Sequence, residues 1–305
     1  LAWSHEGSQH ALRAHLTSER TDVADLLWLA GRSASDIDAA AGAAADPSTA
    51  APGRDLFAGL RKLDADVAFE STQVHAAMLR ALQSLKLKAD LAAGQLAVTG
   101  LDVGWGGGHT RGTLGLDLRP PLAVAHAVLE TSGVRIESLF ASPDEKKRIT
   151  GILQGRLTLR ASGNTSQALR ASADGAGSLQ LSGGTISSLL DAEMGLEGGK
   201  LMRTLISGVG ALPLPCAAAT FDVRSGRARI ADLVVDSANT RTGGRGTIDL
   251  RDGAIDLVLT PQPKRPGLFE LDRSIRLSGR LPKPQRSLVD RVAPPPSAAC
   301  LTTKS

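Results

Sequence analysis

The sequence predicts a mainly β protein, a long antiparallel meander with one or two short helices. Two observations carry this. Apolar and polar residues alternate strictly over long stretches, and glycines and short polar turns separate those stretches at hairpin spacing. A third is repetition: a glycine, any residue, then apolar–polar–apolar recurs at Gly112–Leu116, Gly155–Leu159, Gly177–Leu181 and Gly246–Leu250.

The chain has 305 residues, with 35 basic and 31 acidic side chains and a net charge of +4. The charges are mixed along the chain without a basic run, as on a solvated surface rather than a phosphate footprint. Three Trp, five Phe and no Tyr argue against single-strand nucleic-acid binding, which needs stacking platforms. They also argue against an outer-membrane barrel, which needs aromatic girdles. The opening LAWSHEGSQH has no initiator Met and no charged-then-apolar leader, and reads as part of something longer.

In chain order, residues 1–32 read as the end of a preceding segment. ALRAHLTS is strand-like, and TDVADLLWLAG is a short helix capped by Thr21 or Asp22 and ended by Gly31. Residues 33–62 have linker composition. Residues 63–140 form a β-meander: LDADVAFE sets Leu63, Ala65, Val67 and Phe69 against Asp64, Asp66 and Glu70, and SLKLKADL continues the pattern. Such alternation marks half-buried antiparallel strands, apolar inward. Residues 141–292 form a further β region interrupted by a helix over 187–208, broken by Gly195, Gly198 and Gly199, and 293–305 form a tail. LAVTGLDVGWGGGHTRGTLGLDL (96–118) echoes ARIADLVVDSANTRTGGRGTIDL (228–250), which suggests a meander unit used twice. In GRGTIDLRDGAIDLVLTPQP (244–263), Asp252-Gly253 signals a type I′ hairpin turn. Pro261 and Pro263 are expected to stop its second strand.

Candidate chemistry is thin. His5, His10 and His15 recur every five residues, a spacing that shares no face on a helix and alternates sides on a strand, so no metal site is expected. GWGGGHTRG around His109 fits no phosphate-loop fingerprint. Asp64/Asp66 and Asp249/Asp252/Asp256 lie where solvating charges belong, so no catalytic group and no cofactor is expected. Cys216 and Cys300 would be inert in a reducing compartment, or a staple for the tail in an oxidising one. A meander with one apolar face must cover it by a second sheet, by closure into a barrel, or by curling into a trough that acyl chains fill.

The segments CAAATFDVRSGRARIADLVVDS, GRGTIDLRDGAIDLVLTPQPK and SIRLSGRLPKP, between Cys216 and Pro284, resemble the C-terminal part of the AsmA-like proteins of Gram-negative envelopes. TDVADLLWLAG, LDADVAFES and SADGAGSLQLSGGTISSLL resemble segments further upstream in that family. Ser274 stands where the family usually has proline, and Gly253 where its turn is more often acidic. The resemblance implies a curled β-groove, a periplasmic location and anchorage to the inner membrane through a helix N-terminal to this sequence. It also implies a non-enzymatic role in accommodating phospholipids for outer-membrane biogenesis. The expected groove residues are Val67, Phe69, Leu157, Leu159, Leu179, Leu181, Ile248, Leu250, Leu257 and Leu259. The alternative is an envelope scaffold with a dry core, acting on an outer-membrane assembly protein through an edge strand or the 187–208 helix.

Overall fold

The computed structural model describes residues 2–6, 9–22, 55–75, 82–140, 148–188, 210–264, 273–281, 283–295 and 300. Fifteen strands form one sheet in strict chain order. They are β1 (Ala2–Glu6), β2 (Gln9–Asp22), β3 (Leu63–His75), β4 (Leu82–Ala92), β5 (Gln95–Trp105), β6 (Gly108–Asp117), β7 (Val124–Arg135) and β8 (Ile152–Ser162). After these come β9 (Asp174–Ser187), β10 (Ala211–Arg224), β11 (Arg227–Asp236), β12 (Thr240–Asp249), β13 (Ala254–Pro263), β14 (Arg273–Arg280) and β15 (Gln285–Asp290). At about 4.8 Å between neighbours, the sheet is roughly 65–70 Å along its curve. Among the described residues each strand packs on its sheet neighbours, and no second layer covers either face. The sheet is open and curled, as expected.

One pair departs from the expected pattern. β2 and β3 run parallel, Ala14 beside Val67 and Leu16 beside Phe69. A parallel neighbour needs a long crossover, and the forty residues between these strands are long enough to supply one. The linker reading of 33–62 fails at its end. Phe57 and Leu60 pack on Leu91, Leu116, Leu118 and Ala123, and Arg61 donates to the Leu118 carbonyl at 2.7 Å. Thr21 and Asp22, read as helix caps, lie in β2, and Ser187 is the last residue of β9. Ser188 exchanges hydrogen bonds with Gly210, at 2.8 and 3.0 Å, and the rest of both predicted helices lies outside the described residues. A helix the alternation concealed, α1 (Ser166–Ala171), is capped by Thr165, whose hydroxyl accepts from the Ala168 N–H at 3.1 Å.

The echo between 96–118 and 228–250 is a repeated hairpin, β5–β6 and β11–β12. In both the ladder slips by one residue at the same point, between Val98 and Leu101 and between Ile230 and Leu233. The equivalence extends outward at a constant offset. Ala93-Gly94 and Ser225-Gly226 make matching two-residue turns with positive φ throughout, 48° and 74° against 47° and 74°. Each turn N–H is held by an aspartate from a preceding strand, Asp64 at 3.0 Å and Asp174 at 2.9 Å. Leu118 and Leu250 donate back to Gly94 and Gly226 at 2.8 and 2.7 Å. Slips of this kind add local twist, and a twisted single sheet curls.

The expected type I′ turn at Asp252-Gly253 is not formed. Only Gly253 has positive φ, at 71°, and its N–H bonds to the Asp249 carbonyl at 2.9 Å across a four-residue loop. Pro261 does not stop the strand, which ends at Pro263. Both prolines lie in β13, opposite Thr242 and Thr240, just past Leu259–Ile275, where the ladder to β14 has ended. A residue without an N–H is tolerated there.

After β15 the chain crosses back over β14, β13 and β12 to β10. The Val292 N–H donates to the Ser274 hydroxyl at 3.0 Å, and the Thr260 hydroxyl donates to the Val292 carbonyl at 2.9 Å. Pro294 covers Gly243 so closely that a Cβ there would lie 2.8 Å from the proline Cβ. Cys300 is disulfide-bonded to Cys216, their Cα atoms 5.6 Å apart. Ser274, where proline was expected from the resemblance, is fully buried in this crossing. Replacing Cys300 by Ser, with Cys216 also Ser, is expected to speed amide hydrogen exchange in β12–β14 while β4–β8 stay unchanged. Exchange in β12–β14 equal to that of the unaltered protein would show that the strap bears no load.

The repeated motif glycines have a steric reason. A Cβ on Gly246 would lie 2.2 Å from the Asp256 carbonyl oxygen and 2.6 Å from the Leu257 Cα, both rigid backbone. Gly246→Ala is therefore expected to lower stability by about 1–3 kcal/mol, read as a shift in the denaturation midpoint. Gly59→Ala, with open space around it, serves as the neutral control.

Candidate functional site: an apolar face without charges

Directly opposed residues in a ladder share a face, so the register assigns every side chain to one side of the sheet. One face gathers Leu12, Ala14 and Leu16 of β2 with Ala65, Val67 and Phe69 of β3, and continues through Leu91, Leu96, Leu116 and Ala125. Further along, Leu157 opposes Leu129 and Gly177, and Leu181 opposes Leu153 and Ala217. The face ends through Ile248–Ile255, Leu257–Leu277 and Ile275–Leu288. Across the described side chains of β3–β13 no Asp, Glu, Lys or Arg falls on it.

Nine of the ten expected groove residues sit on this inner face: Val67, Phe69, Leu157, Leu159, Leu179, Leu181, Ile248, Leu257 and Leu259. Leu250 lies in the turn beyond β12 and packs with Ala173, Val223 and Ala228 at the end of the same face. The alternation placed it on the strand, but β12 ends one residue earlier, at Asp249. The face is closed at that end by two equivalent plugs, Leu250's cluster and the cluster holding Leu118. At the other end, Leu181, Ile186 and Leu214 form a third cluster. Between them the face is open. Leu179 is 45% exposed and Leu114 37%. Leaving such leucines half in water forgoes a good part of the roughly 1.5–3 kcal/mol that full burial contributes. Three polar side chains on this face form one chain: Trp105 Nε1 donates to Thr110 at 2.7 Å, and Thr110 bonds Thr131 at 2.8 Å.

The outer face carries the charges in cross-strand pairs. Lys86 meets Glu70 at 2.9 Å, Arg156 meets Glu130 at 3.2 Å and Arg276 meets Asp256 at 2.7 Å. His109 and Arg111 share Asp102, at 2.6 and 2.7 Å. Burial pushes the Asp102 carboxyl up, but the Arg111 and His109 hydrogen bonds together outweigh it and leave the group below its ordinary value. Asp256 is lowered by its hydrogen bonds from Arg276. His5 and His10 are backbone partners in the β1–β2 register. Among the described residues no three His, Cys, Asp or Glu groups are placed to hold a metal.

The two repeats end in the same clamp. Arg119 holds Asp117, and Arg251 holds Asp249, each with its guanidinium and its backbone N–H. Both carboxyls fall to about 2, the guanidinium hydrogen bonds being the largest cause. Depressed carboxylates stabilise the fold above their ordinary value of 3.8 and lose that contribution as pH falls toward 2. The thermal midpoint is expected to be flat above pH ~5 and to fall between pH ~4 and ~2. Asp117→Asn/Asp249→Asn should lower the plateau and shallow that fall; an unchanged slope would remove the clamps from the account.

An open, strand-ordered sheet, without a second layer among the described residues and with one face free of charges from β3 to β13, defines the class of protein. The AsmA family model matches residues 4–233, and the chain belongs to the AsmA family. The match takes in the upstream segments that resemble the family and stops short of most of the Cys216–Pro284 stretch. The chain is 24% identical over 223 residues to the AsmA family protein YhjG of Escherichia coli (strain K12), covering 73% of this chain and 32% of that protein. This chain thus spans about a third of that relative. No solved structure matches. AsmA membership suggests an envelope- or lipid-related role.

Proposed function

We propose that the inner face is a passive track for phospholipid acyl chains in a periplasmic, non-enzymatic protein of outer-membrane biogenesis. In the full-length protein an N-terminal helix would anchor it to the inner membrane. The observation that carries this reading is the run of eleven strands, β3–β13, whose described inner-face side chains include no charge. Interior faces of this kind are usually covered by a second layer, and among the described residues this one is covered only at its ends. Acyl chains have the right chemistry to fill it: apolar, flexible and indifferent to side-chain identity. Head groups would stay in water along the open side. The Cys216–Cys300 disulfide is compatible with an oxidising compartment. No helix among the described residues is long and apolar enough to cross a membrane.

The test places a photo-crosslinking residue at Leu114, Leu179 or Leu257 on the inner face, and at Thr113, Gln180 or Asp256 on the outer. After irradiation in cells, phospholipid adducts are expected at the first three positions and not at the second three. Adducts at neither set, or equally at both, would contradict the track.

A further inference from the structure

The net charge of the chain collects in its last hairpin. Residues 273–295 carry six basic side chains, Arg273, Arg276, Arg280, Lys283, Arg286 and Arg291, against one acid, Asp290. That is a net +5 in a chain whose total is +4, so the other residues together come to −1. Arg273 meets Asp290 at 2.7 Å, Arg276 meets Asp256 at 2.7 Å and Arg280 meets Asp252 at 3.3 Å. With the two acids from outside the hairpin counted, it still carries +3. All six basic residues are exposed.

The inner face changes character at the same place. Arg273 on β14 opposes Asp290 on β15, Leu277 opposes Arg286, and Ile275 opposes Leu288. These strands bring charges back onto a face that is free of them from β3 to β13. Leu288 lies between Arg286 and Asp290 along β15 and is 54% exposed. β15 pairs only with β14 among the described residues. Charges pointing to the inner side of an edge strand disfavour addition of another strand. Surface contact, rather than strand pairing, is the use this edge fits.

We propose that the β14–β15 hairpin docks edge-on to an anionic bilayer surface, setting the end of the apolar face against the lipid. A basic rim beside an exposed apolar end complements such a surface, with phosphates outside and acyl chains within. Nucleic acid would satisfy the charge but not the apolar end, and the chain has few aromatic residues for stacking bases. The proposal deepens the lipid-track reading and rests on it for its purpose, but its measurement is separate.

The full chain is floated with vesicles of phosphatidylcholine alone, or of two parts phosphatidylcholine to one part phosphatidylglycerol. Binding is expected to be on the order of tenfold greater to the anionic vesicles and to fall as salt is raised. Lys283→Glu/Arg286→Glu/Arg291→Glu should abolish the difference, with circular dichroism confirming the fold. Arg160→Glu/Arg229→Glu, exposed on the outer face of β8 and β11, should leave it within about twofold, because contributions of this kind are local. Equal binding to both vesicles, no binding, retention by the triple variant, or loss in the control variant would each overturn the docking. So would displacement by duplex DNA with no preference between vesicles. Docking lost while inner-face crosslinks persist would fault this proposal alone. Docking retained without crosslinks would fault the track.

Discussion

The structure depends on the register of a sheet that has no second layer among its described residues. Each side chain is assigned to a face by its place in the ladder, and a slip of one residue would reverse that assignment for a whole strand. With no second layer over either face among the described residues, nothing else in the fold could hide such an error. The five ladders with irregularities therefore matter. In β5–β6 and β11–β12 the slip leaves Val98 and Leu101, and Ile230 and Leu233, on the same face. The extra residue is absorbed as twist, and the apolar row continues on either side.

Two devices hold the sheet to this plan. The first is a unit used twice, with matching turns, aspartate props, back-bonds from Leu118 and Leu250, and Asp–Arg clamps at the strand exits. These close one end of the inner face and leave its middle open. The second is the strap over the outer side of β10–β14, fastened at Ser274 and Thr260 and by the disulfide to Cys216. It lies across the last strands of the sheet, as the segment holding Phe57, Leu60 and Arg61 ties β3 to Leu118 and Asn164 further along. The apolar face and the devices that shape it are thus on opposite sides or at the ends, and none of them fills the middle.

Much of this was legible in the sequence because a two-residue period is a local signal. Val67 and Phe69, Leu179 and Leu181, and Leu257 and Leu259 could be placed on one face without knowing their partners. The hairpin echo was legible too, although the clamps at Asp117–Arg119 and Asp249–Arg251 went unread, for an acid two residues before a base is common on any surface. What failed was long-range or fine in geometry. The parallel β2–β3 pair depends on a crossover, not on either strand's pattern. Asp252-Gly253 has the composition of a tight turn, but Gly253 alone takes positive φ and the loop is longer. Phe57 and Leu60 lie in a linker-like composition and become core only because Leu91 and Leu118 meet them. Whether Cys216 and Cys300 met was open until the path of the tail was known.

The central claim is that the inner face is apolar, continuous and accessible, and the outer face aqueous. It is tested most directly by nitroxide scanning through β9, from Ala176 to Leu181, on protein purified with its native lipid. The account predicts a two-residue period, with oxygen favoured at Gly177, Leu179 and Leu181 and a polar relaxant favoured at Ala176, Ser178 and Gln180. No alternation, or a period in which both reagents are excluded from Leu179, would contradict it, the second by revealing a dry and covered face.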